Sequence, residues 1–314
     1  MSLHSAPSPV AGAPSIHAES APGSIPHVAR GMGHWRIRDR IIALDRPVVM
    51  GILNLTPDSF SDGGRFFDFD AAVRRAREMA AGGADLIDLG GESTRPGAAE
   101  VSADEEAARV VPVLRALREG LDLPLSVDTR KAMVAREALA AGAQVVNDVS
   151  GLADAGMAAA VAPSGAGLVL MHMRGTPATM QGLTDYADVV DDVAAELAVS
   201  LARADAAGIA RERVVLDPGI GFAKTAEQNL ALIASLRRLE ARLGRPVLLG
   251  PSRKAFIGAL LGGMPAAERD AGTVGACVAG LARGARLFRV HDVRAARQAL
   301  DVAWAILRIP ERAP

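Results

Sequence analysis

The chain has a single cysteine, Cys277, in 314 residues. One thiol excludes an internal disulfide and any cysteine-based zinc centre, and it suits a reducing cytosol. Aromatic residues make up only 3% of the chain, too few for the stacking platforms that bind single-stranded nucleic acid. Neither sign of charge is in excess: 35 Lys and Arg stand against 36 Asp and Glu, a net charge of -1. Broad binding to nucleic acid or to an anionic membrane surface is therefore not expected. No apolar run approaches the roughly 18 residues that span a bilayer. What is present, 50% hydrophobic and 23% charged residues, is the balance of an ordinary soluble globular enzyme.

Residues 1–33 stand apart, rich in Pro, Ala, Ser and Gly and with no periodicity; Glu19 is their one carboxylate and Arg30 their one Lys or Arg, and His4, His17 and His27 are given no role. Such a segment cannot bury enough apolar area to offset its chain entropy, and it reads as a disordered N-terminal extension. It has neither the apolar core of a secretory signal nor the Arg-rich face of a transit peptide, so a cytoplasmic location is expected. The domain proper is expected over 34–310.

Residues 35–44 alternate well enough for a short hairpin. Apolar, β-branched strands then alternate with stretches of helical periodicity. Strands are expected over 47–53, 84–89, 124–127, 144–146, 167–171, 213–216, 246–249 and 285–288. Helices are expected between them, including one continuous helix over 226–243, with a last one over 293–307. Eight β-then-α units imply a parallel sheet with helical crossovers. The fold class is α/β, a closed (β/α)8 TIM barrel. No Gly-x-Gly-x-x-Gly turn follows the first strand, which counts against a dinucleotide-binding half.

Reacting groups in such barrels lie at the carboxyl ends of the strands. Those ends read Asn54, Asp88 to Arg95, Asp128, Asn147, His172, Asp217, Ser252 to Lys254, and Arg289 with His291. One strand-end Asp or Asn is most simply a helix cap or a turn residue, but eight converging polar ends exceed what capping needs. Asp128, Asn147 and Asp217 supply acceptors suited to a flat heterocycle bearing several N–H groups. Arg253, Lys254, Arg289 and His291 come from strands seven and eight, the side on which barrels bind phosphate, and Arg95 could add to them. An anion beside Asn54 suggests Mg²⁺ held mainly by phosphate oxygens. No serine or cysteine nucleophile motif is present, so group transfer through a good leaving group is favoured.

The same motifs carry a resemblance. Asn-Leu-Thr-Pro-Asp-Ser-Phe-Ser-Asp-Gly-Gly (54–64), Gly-Gly-Glu-Ser-Thr-Arg-Pro-Gly (90–97) and Asp-Thr-Arg (128–130) resemble the dihydropteroate synthases. So do Asn-Asp (147–148), Met-His-Met (171–173), Asp-Pro-Gly (217–219), Ser-Arg-Lys (252–254) and Arg-Val-His-Asp (289–292), all in order. The resemblance implies condensation of 6-hydroxymethyl-7,8-dihydropterin diphosphate with para-aminobenzoate, releasing pyrophosphate, in a homodimer that sulfonamides inhibit. It also implies that Asp128, Asn147, Asp217, Gly250 and Lys254 surround the pterin, with Met171 and Phe222 on its faces. Thr94, Arg289 and His291 would hold the diphosphate and Asn54 the Mg²⁺. Phe60, Thr94, Arg95, Pro96 and Ser252 would surround para-aminobenzoate, and the first two loops would close over it. Asp128, Lys254, Arg289 and His291 are the expected catalytic residues. A pterin-binding methyltransferase barrel would not need the Arg289/His291 pair, and a silent scaffold would not need Asn54, Asp128 and Lys254 together. Cys277 and Met173 are expected as plain packing.

Overall fold

The computed structural model describes residues 33–56, 69–95 and 97–310. The expectations placed on residues 1–32, on Phe60 and Pro96, and on most of the loop after Asn54 lie outside the described residues. The chain opens with an antiparallel hairpin, β1 (His34–Ile37) and β2 (Arg40–Ala43). It continues through β3 (Val48–Asn54), α1 (Phe69–Ala81), β4 (Leu86–Gly90), α2 (Ala103–Gly120), β5 (Leu125–Asp128) and α3 (Ala132–Ala140). Next come β6 (Val145–Asp148), α4 (Met157–Val161), β7 (Gly167–Met171), α5 (Val189–Ala206) and β8 (Val214–Asp217). Then follow α6 (Ala226–Ala234), α7 (Leu236–Leu243), β9 (Leu248–Leu249), α8 (Ala255–Leu260), α9 (Asp270–Ala282), β10 (Leu287–Val290) and α10 (Val293–Leu307).

Strands β3 to β10 form one parallel sheet in the order β8-β7-β6-β5-β4-β3-β10-β9. A parallel bridge between Leu216 and Val247 joins its two edges and closes the barrel. Most strands run one or two residues past the expected ends, so Asn54, Asp128, Asn147 and Asp217 are strand residues and not loop residues. The continuous helix expected over 226–243 is broken at Ser235, whose N–H bonds Leu232 O in a tight i→i−3 turn. Side-chain oxygens of Ser102, Asp188, Thr225 and Asp292 cap the helices that follow them.

Period-two alternation sorts each strand into an outer and an inner face. Outward residues such as Val49, Leu53, Ile87, Leu89, Val127, Leu168, Leu249 and Phe288 pack under the helices. Inward residues Val48, Met50, Leu86, Val145, Val169, Val215, Leu248 and Leu287 make a separate apolar plug with Trp35 and Ile37 of the hairpin. Thus the hairpin seals the amino end of the barrel. Trp35 is fully buried, its indole N–H donates to Arg213 O at 2.8 Å, and a Cβ on Gly167 would come within 3.0 Å of it. Two residues further along β4, β6, β8 and β10 the same inner face turns polar, at Asp88, Asn147, Asp217 and Arg289.

Candidate active site

The inner-face alternation brings Asp88, Ser126, Asp128, Asn147, Asp217 and Arg289 to the carboxyl half of the barrel. Arg289 lies across it. Its Nε donates to Asp88 Oδ2 at 2.6 Å and its Nη2 to Asp128 Oδ2 at 2.6 Å. Asp88 Oδ2 also accepts from Asn147 Nδ2 at 2.9 Å. Asp88 is fully buried and Asn147 almost so, yet among the described residues Asp88 Oδ1, Asp128 Oδ1 and Ser126 Oγ have no hydrogen-bond partner. Buried polar atoms are normally paired, so these mark a surface built to receive donors.

On the next strands, Asp217 Oδ1 accepts from the Gly219 N–H at 2.7 Å. Lys254 Nζ stands 3.8 Å over the Phe222 ring. The φ of Gly221 is +83°, and a Cβ there would press within 2.8 Å of Lys254 Cδ, so glycine is required for the lysine to pass. Gly250 flanks Asp217 and Arg289 on the inner face. Met171 and Phe222 share one small buried cluster with Val149 and Met180. Met173 is only half-buried against that cluster while Met171 is buried, the reverse of the expected core assignment.

Burial pushes the Asp128 carboxyl up to about 7, against the pull of Arg289. It raises Asp217 as well, although the Gly219 N–H and Lys254 oppose it. Burial, joined by Arg289, brings Lys254 down to about 8. For His291, burial followed by Arg253, Arg289 and Lys254 brings the imidazole down to about 3. His291 is therefore neutral. The Ser252 hydroxyl accepts the His291 backbone N–H at 3.1 Å and lies 2.9 Å from Nδ1. The Asn54 side-chain nitrogen donates to Nε2 at 3.5 Å, which leaves the ring proton on Nδ1, donated to the Ser252 hydroxyl. So Asn54, Ser252 and His291 form one corner beside Arg289. Arg253, expected among the cations here, instead grips Asp270 through two 2.7 Å bonds. Thr94 is half-buried and Arg95 exposed, the latter near enough to Lys254 to depress it further.

Residues 50–291 match the family described as pterin binding enzyme. The dihydropteroate synthase of Synechocystis sp. is 50% identical over 264 residues, 84% of this chain and 91% of that protein. The chain belongs to the pterin binding enzymes, among the dihydropteroate synthases. A solved dihydropteroate synthase of Xanthomonas albilineans with 4-aminobenzoic acid superposes with a TM-score of 0.83 at 47% identity, covering 88% of this chain and 99% of that one. That of Yersinia pestis with a sulfonamide drug complex does so at 0.83 and 44%, covering 88% and 100%.

Asp88 stands among the strand ends read from the sequence but has no role assigned there, and Lys224 is absent from them. Asp88 joins Asn147 to Arg289, and its signal was an acid inside an otherwise apolar strand. Lys224 is buried behind Asp217; nothing local distinguishes it from a surface lysine. A third group, Glu92, accepts from Arg130, Lys131 and the Val101 N–H, and so anchors the loop after β4. Cys277 is fully buried, with its thiol pushed up to about 12, in keeping with packing.

Proposed function

We propose that the chain, with its barrel domain over 34–310, joins 6-hydroxymethyl-7,8-dihydropterin diphosphate to para-aminobenzoate, giving 7,8-dihydropteroate and pyrophosphate. The observation that carries this reading is the Asn147–Asp88–Arg289–Asp128 network with its unpartnered carboxylate oxygens, bordered by Asp217, Lys254 and the Ser252–His291 pair. Acceptors on one side and cationic or neutral donors on the other match a donor-rich heterocycle that carries a diphosphate.

In this reading Asp217 and Asn147 pair with the amino-pyrimidine edge, Lys254 with the carbonyl side, and Asp128 with the reduced ring. Met171 and Phe222 pack on its faces, with Gly250 leaving room. The C–O bond to the diphosphate breaks, and its electron pair leaves with pyrophosphate. Arg289, His291 and Thr94 hold the diphosphate as that charge develops, while Asp128 opposes the cation left on the pterin methylene. The aryl amine donates its lone pair to that carbon and then loses a proton. Ser252, Thr94 and Arg95, with Phe60 and Pro96, surround the para-aminobenzoate; a sulfonamide competes there.

No three His, Cys, Asp or Glu side chains among the described residues could hold a metal. One amide oxygen, from Asn54 beside His291, fits a Mg²⁺ ion held chiefly by phosphate oxygens and water. When bound, that ion neutralises the leaving diphosphate. The exposed side chains of Val302 and Ile306 on α10, with Ile309 just beyond its end, support a homodimer. One buried thiol, and no described helix long and apolar enough to cross a membrane, support a cytoplasmic location. Purified chain mixed with Mg²⁺, the pterin diphosphate and para-aminobenzoate should release pyrophosphate. Folded protein without turnover would refute the proposal. Asp217→Ala should abolish pterin binding and stay folded; retained affinity would remove Asp217 from the pocket.

A further inference from the structure

The turn from Gly219 to Lys224 carries one wall of the pterin site, and its backbone is unusual. Gly219, Gly221 and Ala223 have φ of +70°, +83° and +51°, the last in a residue with a Cβ. Left-handed residues persist only where surrounding contacts over-determine them. Here the contacts come from a side chain with no role in the proposed reaction. Lys224 Nζ is buried and bonds Gly219 O at 3.1 Å, Phe222 O at 2.8 Å and His172 Nδ1 at 2.9 Å. His172 Nε2 in turn lies 2.9 Å from Glu196 Oε2, and Glu196 Oε1 accepts from Arg174. Three donors of an ammonium match three acceptors, which fixes His172 as the tautomer that donates from Nε2 to Glu196.

Resting on the reaction proposed above, we infer that Lys224, backed by His172 and Glu196, is a positioning residue for pterin recognition. It holds the Gly219–Phe222 turn that presents Asp217 and Phe222. The link is short: Lys224 bonds the carbonyl of Gly219, whose N–H donates to Asp217 Oδ1. Phe222 N–H also donates to Gly219 O at 3.0 Å, so both recognition residues bond to Gly219, Asp217 at its N–H and Phe222 at its carbonyl. The His172 carbonyl packs so closely against Gly219 that a Cβ there would lie 1.9 Å away.

This role makes pterin affinity depend on the lysine proton. Burial depresses Lys224 to about 7; Asp217 and Glu196 raise it, and Arg174 and Lys254 lower it. Loss of the proton leaves two donors for three acceptors, so pterin affinity falls as pH rises through that range. Glu196, brought down to about 2 by the His172 hydrogen bond against its burial, stays ionised throughout.

The test measures KM for both substrates and the pH dependence of pterin diphosphate binding in the wild-type chain, Lys224→Met and Glu196→Gln. Wild-type turnover comes first, because its absence would sink the reaction itself and not this assignment. Lys224→Met should raise KM for the pterin diphosphate about tenfold, the usual effect of orphaning one buried partner, and leave KM for para-aminobenzoate unchanged. Glu196→Gln, altered at the 40% exposed end of the chain of bonds, should fold normally and move the alkaline limb of pterin binding to lower pH. Lys224→Met with an unchanged pterin KM, or with equal rises for both substrates, overturns the inference. A Glu196→Gln profile that superimposes on wild type does so too, even where Lys224→Met fails to fold.

Discussion

Replacing Asp88 with Ala probes the network directly, because Asp88 is its only member bonded to both Arg289 and Asn147 and is fully buried. Removing one side of a buried ion pair costs about 3–5 kcal/mol, largely because the other charge remains. Two features pull the figure down here. Arg289 keeps its 2.6 Å bond to Asp128, and Asp88 carries an unpartnered Oδ1 whose burial is itself unfavourable. Against this, the Asn147 amide loses its acceptor, worth about 1–3 kcal/mol when buried. The net expectation is a loss of about 3 kcal/mol, seen as a fall in Tm of about 5–10 °C. Pterin diphosphate kcat/KM should fall tenfold or more, since about 1.4 kcal/mol of lost orientation at Asn147 and Arg289 suffices. Asp88→Asn keeps the shape and one acceptor and should lose about half as much stability, about 1–2 kcal/mol. Urea unfolding followed by circular dichroism, with pyrophosphate release on the same samples, reads both quantities. An unfolding midpoint and a kcat/KM that both stay at wild-type values in Asp88→Ala would refute the network as a structural and functional unit.

Three further outcomes follow from named contacts. Gly219→Ala should lose pterin binding while para-aminobenzoate contacts stay intact, because its Cβ would lie 1.9 Å from His172 O at a φ of +70°; calorimetric titration with a pterin checks it. Trp35→Ala should lower stability by about 3–5 kcal/mol yet leave kcat/KM at 25 °C unchanged, since the hairpin seals the end of the barrel away from the polar layer; denaturant melts and turnover separate the two. The acid limb of kcat/KM for the pterin diphosphate should follow Asp128, raised to about 7, and not His291, already neutral above about 3. His291→Asn should therefore lower the rate without moving that limb. The same shift has a stability sign. A carboxyl raised in the folded state stabilises it below its unfolded pKa of about 4, and that contribution is lost as pH rises through about 7.

Much of this site could be read from sequence because barrel strands announce their ends. An apolar run that stops at Asn54, Asp128, Asn147 or Asp217 marks both a strand and the mouth it points to. The pairings that the strand ends do not reveal depend on distance along the chain. Asp88 sits among Leu86, Ile87 and Leu89 as one acid in a buried strand, and its partner Arg289 is 201 residues away. Only the pairing of β10 with the far side of β3 from β4 brings them together. Lys224 lies between Ala223 and Thr225 with no apolar periodicity to suggest burial; its position depends on left-handed turns that residue type does not reveal at Ala223. The break at Ser235 was hidden because Leu230, Leu232, Ile233, Leu236 and Leu239 continue a helical pattern across it. The hairpin could be read as strands, but its place under the barrel follows only from Trp35 and Ile37 meeting the inward residues of strands that come later in the chain.

The division of the inner face into two layers explains how one fold carries so much buried charge. Asp88, Asp128, Lys254 and Arg289 bring opposite charges into one low-dielectric layer, and such pairs add little net stability once desolvation is counted. Stability has to come from elsewhere. The apolar plug of Trp35, Ile37 and eight inward strand residues lies directly beneath, and the larger helix–strand core surrounds it. Because strand alternation repeats every two residues, the same backbone that buries Leu86, Val145, Val215 and Leu287 must aim Asp88, Asn147, Asp217 and Arg289 into the same space one step higher. Shifting any strand by one residue would place these charges against the helices and Leu89 or Val146 in the site. The polar layer therefore cannot move without the apolar one. That coupling, more than any single hydrogen bond, holds Asp88 and Asp128 with an oxygen each still unpaired and aimed where a donor-rich ring would fit.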